Sequence, residues 1–175
     1  MLENYDISNE TYAIIPVNNK VTKIVEKEQE FFVNKSSLDI IKDNCIFYGS
    51  SFIGRTECSK SILKGSYKLP IIVEESTPIV FFPVSSPKYS NSIWFSLQNI
   101  NQISKDGKGS KILFNCGKCM LFDNSCFVLK NQLMRAVQLK CTMYERQRSK
   151  KWDILIFFFY LALYYDIIDM KYGYT

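Results

Sequence analysis

Short apolar runs, each stopped by a polar turn or a proline, recur along most of this chain and constrain its fold more than any other feature. Thr11–Pro16, Val21–Glu26 and Glu30–Val33 are the first three, joined by Val17-Asn18-Asn19-Lys20 and Lys27-Glu28-Gln29. Runs of this length with links this short make an antiparallel meander, because a parallel pair needs a much longer crossover. Ser36 then caps a short helix, Ser37–Asp43, with Leu38 and Ile41 turned inward and Asp39 favourable near its N-terminus.

The next stretch, Asn44–Lys60, reads NCIFYGSSFIGRTECSK. Cys45, Ile46, Phe47 and Tyr48 are expected to be a buried strand that stops at Gly49, with Ser50 or Ser51 opening a helix. The N-terminus of such a helix turns several free N–H groups one way and favours an anion such as phosphate. Gly49, Ser50 and Ser51 are therefore candidate phosphate-positioning residues. Arg55, Lys60 and Lys64 add positive charge, with Lys60 and Lys64 on one face and Arg55 well round from them. The competing reading is an ordinary capped helix whose charges face water. Gly65 is expected to end the segment.

Leu69–Val73 and Pro78–Val84 are two further strands, with Pro70, Pro78 and Pro83 at their ends, where a missing N–H does least harm. The polar loop from Ser85 to Ser92 carries Lys88, Tyr89 and Asn91, candidate contacts to a phosphate or a minor groove. Ile93–Ile103 is rich in strand formers, with Trp94 as its packing anchor. Asp106-Gly107-Lys108-Gly109 is a hairpin tip furnished with Lys105, Lys108 and Lys111. Ile112–Asn115 and Cys119–Phe122 form the next hairpin around Gly117-Lys118. Ser125 precedes the longest helix, about Cys126–Arg148, whose core face is Leu129, Leu133, Ala136, Val137, Cys141 and Tyr144. Arg135 decorates its other side, and Arg146, Arg148, Lys150 and Lys151 make a basic cluster that serves a helix dipole or DNA equally well. The whole is an α+β chain of mostly antiparallel strands interrupted by three helices.

Charge is unevenly placed. Residues 1–75 hold 9 Lys/Arg against 11 Asp/Glu, whereas residues 76–151 hold 12 against 3. A basic half reads as a footprint for a polyanion, nucleic acid first and an acidic membrane surface second; a solvated surface is the competing reading. The chain contains no histidine. Histidine-based acid–base chemistry, Ser-His or Cys-His nucleophiles and nearly every catalytic zinc site lose a member, and an enzyme is not expected. The opening MLENYDISNE is acidic and polar rather than a secretion signal, so the six cysteines are expected as reduced thiols in a cytoplasm.

Cys116-Gly-Lys-Cys119, with Cys126 and Cys141, makes a four-thiolate zinc site arithmetically conceivable. The second pair is too far apart for a knuckle, and Gly-Lys sits where a hairpin turn needs it. Neither a metal nor another cofactor is expected.

The run CIFYGSSFIGRTECSKSILKGSYKLPIIV, then IVFFPVSSP, SIWFSLQNI and KILFNCGKCMLFDNSCFVLKNQLMRA, resembles the ComK family of competence transcription factors. The resemblance covers about residues 5–150 and rests on three elements in order: Gly49–Arg55, Lys68–Ile71, and the Phe-Phe-Pro before Ser85-Ser86. It implies a cytoplasmic activator that binds paired A·T-rich boxes from the minor-groove side. It further implies dimers assembling to a tetramer on DNA, and turnover by an adaptor-directed protease. Under that reading Arg55 is the first candidate for a groove or phosphate contact. The competing function is a regulatory protein without DNA contact, including a nonfunctional remnant.

After Lys151 the sequence WDILIFFFYLALYYDIIDMKYGYT departs from the polar tail of that family, so residues 151–175 are set apart as a divergent segment. Ile154–Tyr165 is twelve uncharged residues, short of the roughly 20 that span a bilayer. A membrane partner is not expected. A buried final helix and an interrupted gene read onward into foreign sequence stay open as accounts of this segment.

Overall fold

The computed structural model describes residues 1–85 and 92–147. Along them run β1 (Thr11–Pro16), β2 (Thr22–Glu26), β3 (Glu30–Val33), α1 (Ser37–Phe47), α2 (Phe52–Leu63), β4 (Ile71–Glu74) and β5 (Ile79–Pro83). They continue with β6 (Trp94–Ser96), β7 (Ile100–Asp106), β8 (Gly109–Phe114), β9 (Cys119–Phe122) and α3 (Cys126–Gln147). Met1–Lys140 is one compact unit. The other starts at Cys141, and its described part, 141–147, is the C-terminal end of α3.

Two antiparallel sheets carry the expected α+β fold. Six strands pair in the order β3-β2-β1-β6-β5-β4, and three in the order β7-β8-β9. Side chains alternate across a strand, so the register sorts the large sheet into two faces. Ile14 pairs with Ile24 and Trp94 on one face, while Ala13 pairs with Val25 and Phe95 on the other. The first face meets Ile40, Ile41 and Cys45 of α1 in a cluster that also holds Ile7, Ile71, Val73, Ile79 and Phe81. The second face meets the small sheet through aromatic rings. Phe95 lies 4.9 Å edge-on from Phe122 and 6.5 Å from Phe114, and Tyr12 lies 5.4 Å from Phe114. Fully burying such a ring contributes about 1.5–3 kcal/mol, so these few contacts hold the sheets together.

Two expected strands are corrected by the structure. Cys45–Phe47 is not a strand but the last turn of α1, which runs on to Phe47 instead of stopping at Asp43. Ile40, Ile41, Asn44 and Cys45 are buried at helical spacing, whereas Ile46 and Phe47 stay 67% and 63% exposed, so the run is amphipathic rather than buried through. The Asn44 amide fixes this extension: its Oδ1 accepts from the Ile7 N–H at 2.7 Å, and its Nδ2 donates to the carbonyls of Tyr5 and Ile40. Gly49 then closes α1 at φ +77°, with its N–H on the Ile46 carbonyl and the Ser50 N–H on that of Cys45.

Ile93–Ile103 is likewise two strands. A 3-10 turn at Leu97–Asn99 passes the chain from β6 in the large sheet to β7 in the small one. Asn99 secures it by donating from Nδ2 to the carbonyls of Asn9 and Thr11 at 2.8 and 3.0 Å. Trp94 is the fully buried anchor expected of it. At the end of α2 the left-handed residue is Lys64, at φ +48°, one position before Gly65.

Candidate nucleic-acid interface

The helix entrance is open. Ser51 caps α2, its Oγ accepting the Gly54 N–H at 3.0 Å while its carbonyl accepts the Arg55 N–H. Gly49, Ser51, Ile53 and Gly54 are exposed and Ser50 is half-buried, so the start of α2 meets solvent, although the N–H groups of Gly49, Ser50 and Gly54 already have partners within the chain.

The cations do not gather around that entrance. Arg55 is buried and its guanidinium is ion-paired with Glu75, in the turn between β4 and β5. Lys60 and Lys64 are exposed but lie at the other end of α2, about 14 and 20 Å along at 1.5 Å per residue. Arg135 is half-buried on α3 and donates from Nη1 to the carbonyls of Tyr67 and Lys68 at 2.8 and 3.1 Å, and burial lowers its pKa. It holds the segment before β4 in place. Arg146 is exposed in the last turn of α3. Lys88, Asn91, Arg148 and the segment 151–175 lie outside the described residues.

Lys108 and Lys111 are differently placed. Both are exposed on the small sheet, Lys108 in the β7–β8 turn and Lys111 in β8, and among the described residues neither has an ion-pair partner. Lys111 pairs with Ser104 on β7 and with Leu121 on β9. Leu113 pairs in the same way with Gln102 and Cys119, so these six residues share one face. All six are exposed or half-buried, and Leu121 is 65% exposed. The opposite face, with Ile103, Ile112 and Phe114, is buried. Period-two alternation along Gly109–Phe114 was the available signal for this face. Gln102, Ser104 and Leu121 escape a search for charge because they carry none.

Cys116 and Cys119 are exposed at the ends of the β8–β9 turn, where Gly117 takes φ +85°. Cys45 is a core thiol whose pKa burial pushes up to about 11. Among the described residues no three His, Cys, Asp or Glu side chains stand close enough to hold a metal, and no helix is long and apolar enough to cross a membrane.

The profile of the family described as ComK protein matches residues 2–148. The chain is also similar to the competence transcription factor of Bacillus subtilis (strain 168), 31% identical over 149 residues, which cover 83% of this chain and 78% of that protein. No solved structure matches.

Proposed function

The chain belongs to the ComK family, and on that premise we propose that it is a DNA-binding transcriptional activator of competence genes. Its target is double-stranded DNA with paired A·T-rich boxes, approached from the minor groove. The observation that carries this reading is the small sheet, which exposes Lys108 and Lys111 with no ion-pair partner among the described residues, in the part of the chain where 12 Lys/Arg stand against 3 Asp/Glu. Such lysines release condensed counterions from phosphates and supply sequence-independent affinity. Choice of A·T tracts then follows from a narrow groove of strong negative potential and from the ease of bending the duplex. Lys60 and Lys64 on α2 and Arg146 in the last turn of α3 are further exposed cations of the candidate set, and the solvent-facing start of α2 behind Gly49, Ser50 and Ser51 is its candidate phosphate position. Lys88, Asn91 and Arg148 complete the candidate set. Arg55 and Arg135 act at one remove, holding the elements that carry these groups.

In this reading the protein works in the cytoplasm as dimers that assemble to a tetramer across the site, and an adaptor-directed protease sets its abundance. The DNA-binding domain spans about residues 5–150, and 151–175 is a separate divergent tail. The family match ends at residue 148, close to where the composition changes after Lys151, which supports that boundary. The same coincidence favours a second reading, a regulator that has lost DNA affinity with its native tail.

Gel-shift titration of an A·T-box duplex at 50 and 200 mM salt separates the two. The first reading expects an affinity loss of about tenfold or more over that range, and a log–log salt slope shallower by about 1 for each of Lys108→Ala and Lys111→Ala. Indifference to DNA at the lower salt favours the second.

A further inference from the structure

We propose that the outer face of the β7-β8-β9 sheet is the surface laid into the minor groove, with Leu121 as the apolar wedge that opens it. This inference rests on the DNA-binding reading above and gives that reading a surface.

The register places Gln102 and Ser104 on β7, Lys111 and Leu113 on β8, and Cys119 and Leu121 on β9 side by side. An antiparallel sheet that merely faces water carries polar residues on its free face. Here the free face pairs a lysine directly with a leucine that keeps 65% of its surface in solvent, a poor choice for solubility alone. A cation, hydrogen-bonding side chains and an exposed aliphatic group are together what a minor-groove sheet requires. Lys111 meets the negative potential of a narrow A·T groove, Gln102 and Ser104 meet the adenine N3 and thymine O2 acceptors, and Leu121 enters a base step.

The dimensions point the same way. Three strands at about 4.8 Å spacing make a face roughly 10 Å across, against a groove of about 6 Å. Seating it widens the groove, and a side chain that unstacks a flexible thymine–adenine step bends the duplex to allow this. The β7–β8 turn adds Lys108, while Asp106 at the end of β7 pairs with Gly109 on the same face as Ser104. The positive end of the face is therefore Lys108 and Lys111 with one acid between strands, and Lys105 belongs to the opposite face. Another exposed apolar pair, Ile46 and Phe47 at the end of α1, has Asp39 and Asp43 exposed on the same helix, which oppose a polyanion.

Cys119 stands on the proposed face and gives a direct readout. The full-length protein is alkylated with iodoacetamide, alone and with a saturating A·T-box duplex whose binding is confirmed by gel shift, and each cysteine is followed by mass spectrometry. The expected result is a Cys119 rate at least fivefold lower in the complex. In parallel, Leu121→Ser is expected to leave the melting temperature unchanged and to reduce the DNA bend measured by fluorescence transfer between the duplex ends. A confirmed complex in which Cys119 reacts at its free rate overturns the inference and leaves the DNA-binding reading standing. Protection of Cys119 by raised protein concentration without DNA assigns the face to contact between copies and also overturns it. Absence of any complex overturns both.

Discussion

Arg55 and Glu75 are ion-paired across the space between α2 and the β4–β5 turn, with the Arg55 side chain 9% exposed and that of Glu75 46%. The arginine in the most recognisable motif of the chain thus ties α2 to the large sheet. Glu74, the last residue of β4, adds to the negative surroundings of the guanidinium.

Arg55→Ala is expected to act on stability before DNA. Breaking a fully buried pair costs about 3–5 kcal/mol, and the half-open Glu75 reduces this to about 2 kcal/mol. The melting temperature should fall by about 4–8 °C. DNA affinity of the still-folded variant should change less than that of Lys111→Ala. A variant that melts like the parent but no longer shifts DNA would make Arg55 a direct contact instead.

Glu74 gives the fold an acid-side limit. Burial opposes its ionisation, but the Ser76 hydroxyl, the N–H groups of Thr77 and Ser76, and the charge of Arg55 outweigh burial and hold the carboxyl below its ordinary value of 4.5. The Thr77 N–H reaches the two carboxylate oxygens at 3.0 and 2.9 Å. A depressed folded pKa contributes stability that is present above the unfolded value and is lost as pH falls through the folded one. Melting temperature should therefore hold down to about pH 5 and drop below pH 4.5. Glu74→Gln should be less stable at pH 7 and show a shallower fall in acid. Parallel curves for the two proteins would remove Glu74 as the cause.

Phe95 is fully buried and touches Phe82 of β5, Phe114 of β8 and Phe122 of β9, with the Phe122 ring edge-on at 4.9 Å. Phe95→Ala should cost about 3–5 kcal/mol in urea unfolding, and Phe95→Leu distinctly less. Since those contacts hold the small sheet against the large one, hydrogen exchange in β8 should speed up more than in β2. A uniform change would mean that the ring supports the whole core equally.

Much of the architecture was legible in the residues. The meander Thr11–Val33, the helix caps at Ser36 and Ser51, and the glycine turn before Cys119 all follow from local chemistry that neighbouring residues complete among themselves. Cys45–Tyr48 reads as a strand because four consecutive apolar letters carry no period. Only the contact of Asn44 with Ile7, 37 positions away, reveals the helix. Leu97–Asn99 was legible as strand former but not as a break, since the hydrogen bonds that bend it reach back to Asn9 and Thr11.

The candidate site divides along the same line. Composition alone assigned positive charge to the second half of the chain and removed histidine chemistry. Which cations meet solvent depended on packing: Arg55 and Arg135 are drawn to Glu75 and to the carbonyls of Tyr67 and Lys68, while Lys108 and Lys111 stay exposed. Sequence determines what each residue can offer and how its near neighbours fold. A side chain's availability is set by partners that only the folded chain brings within a few ångströms, because an ion pair or hydrogen bond falls away over that distance.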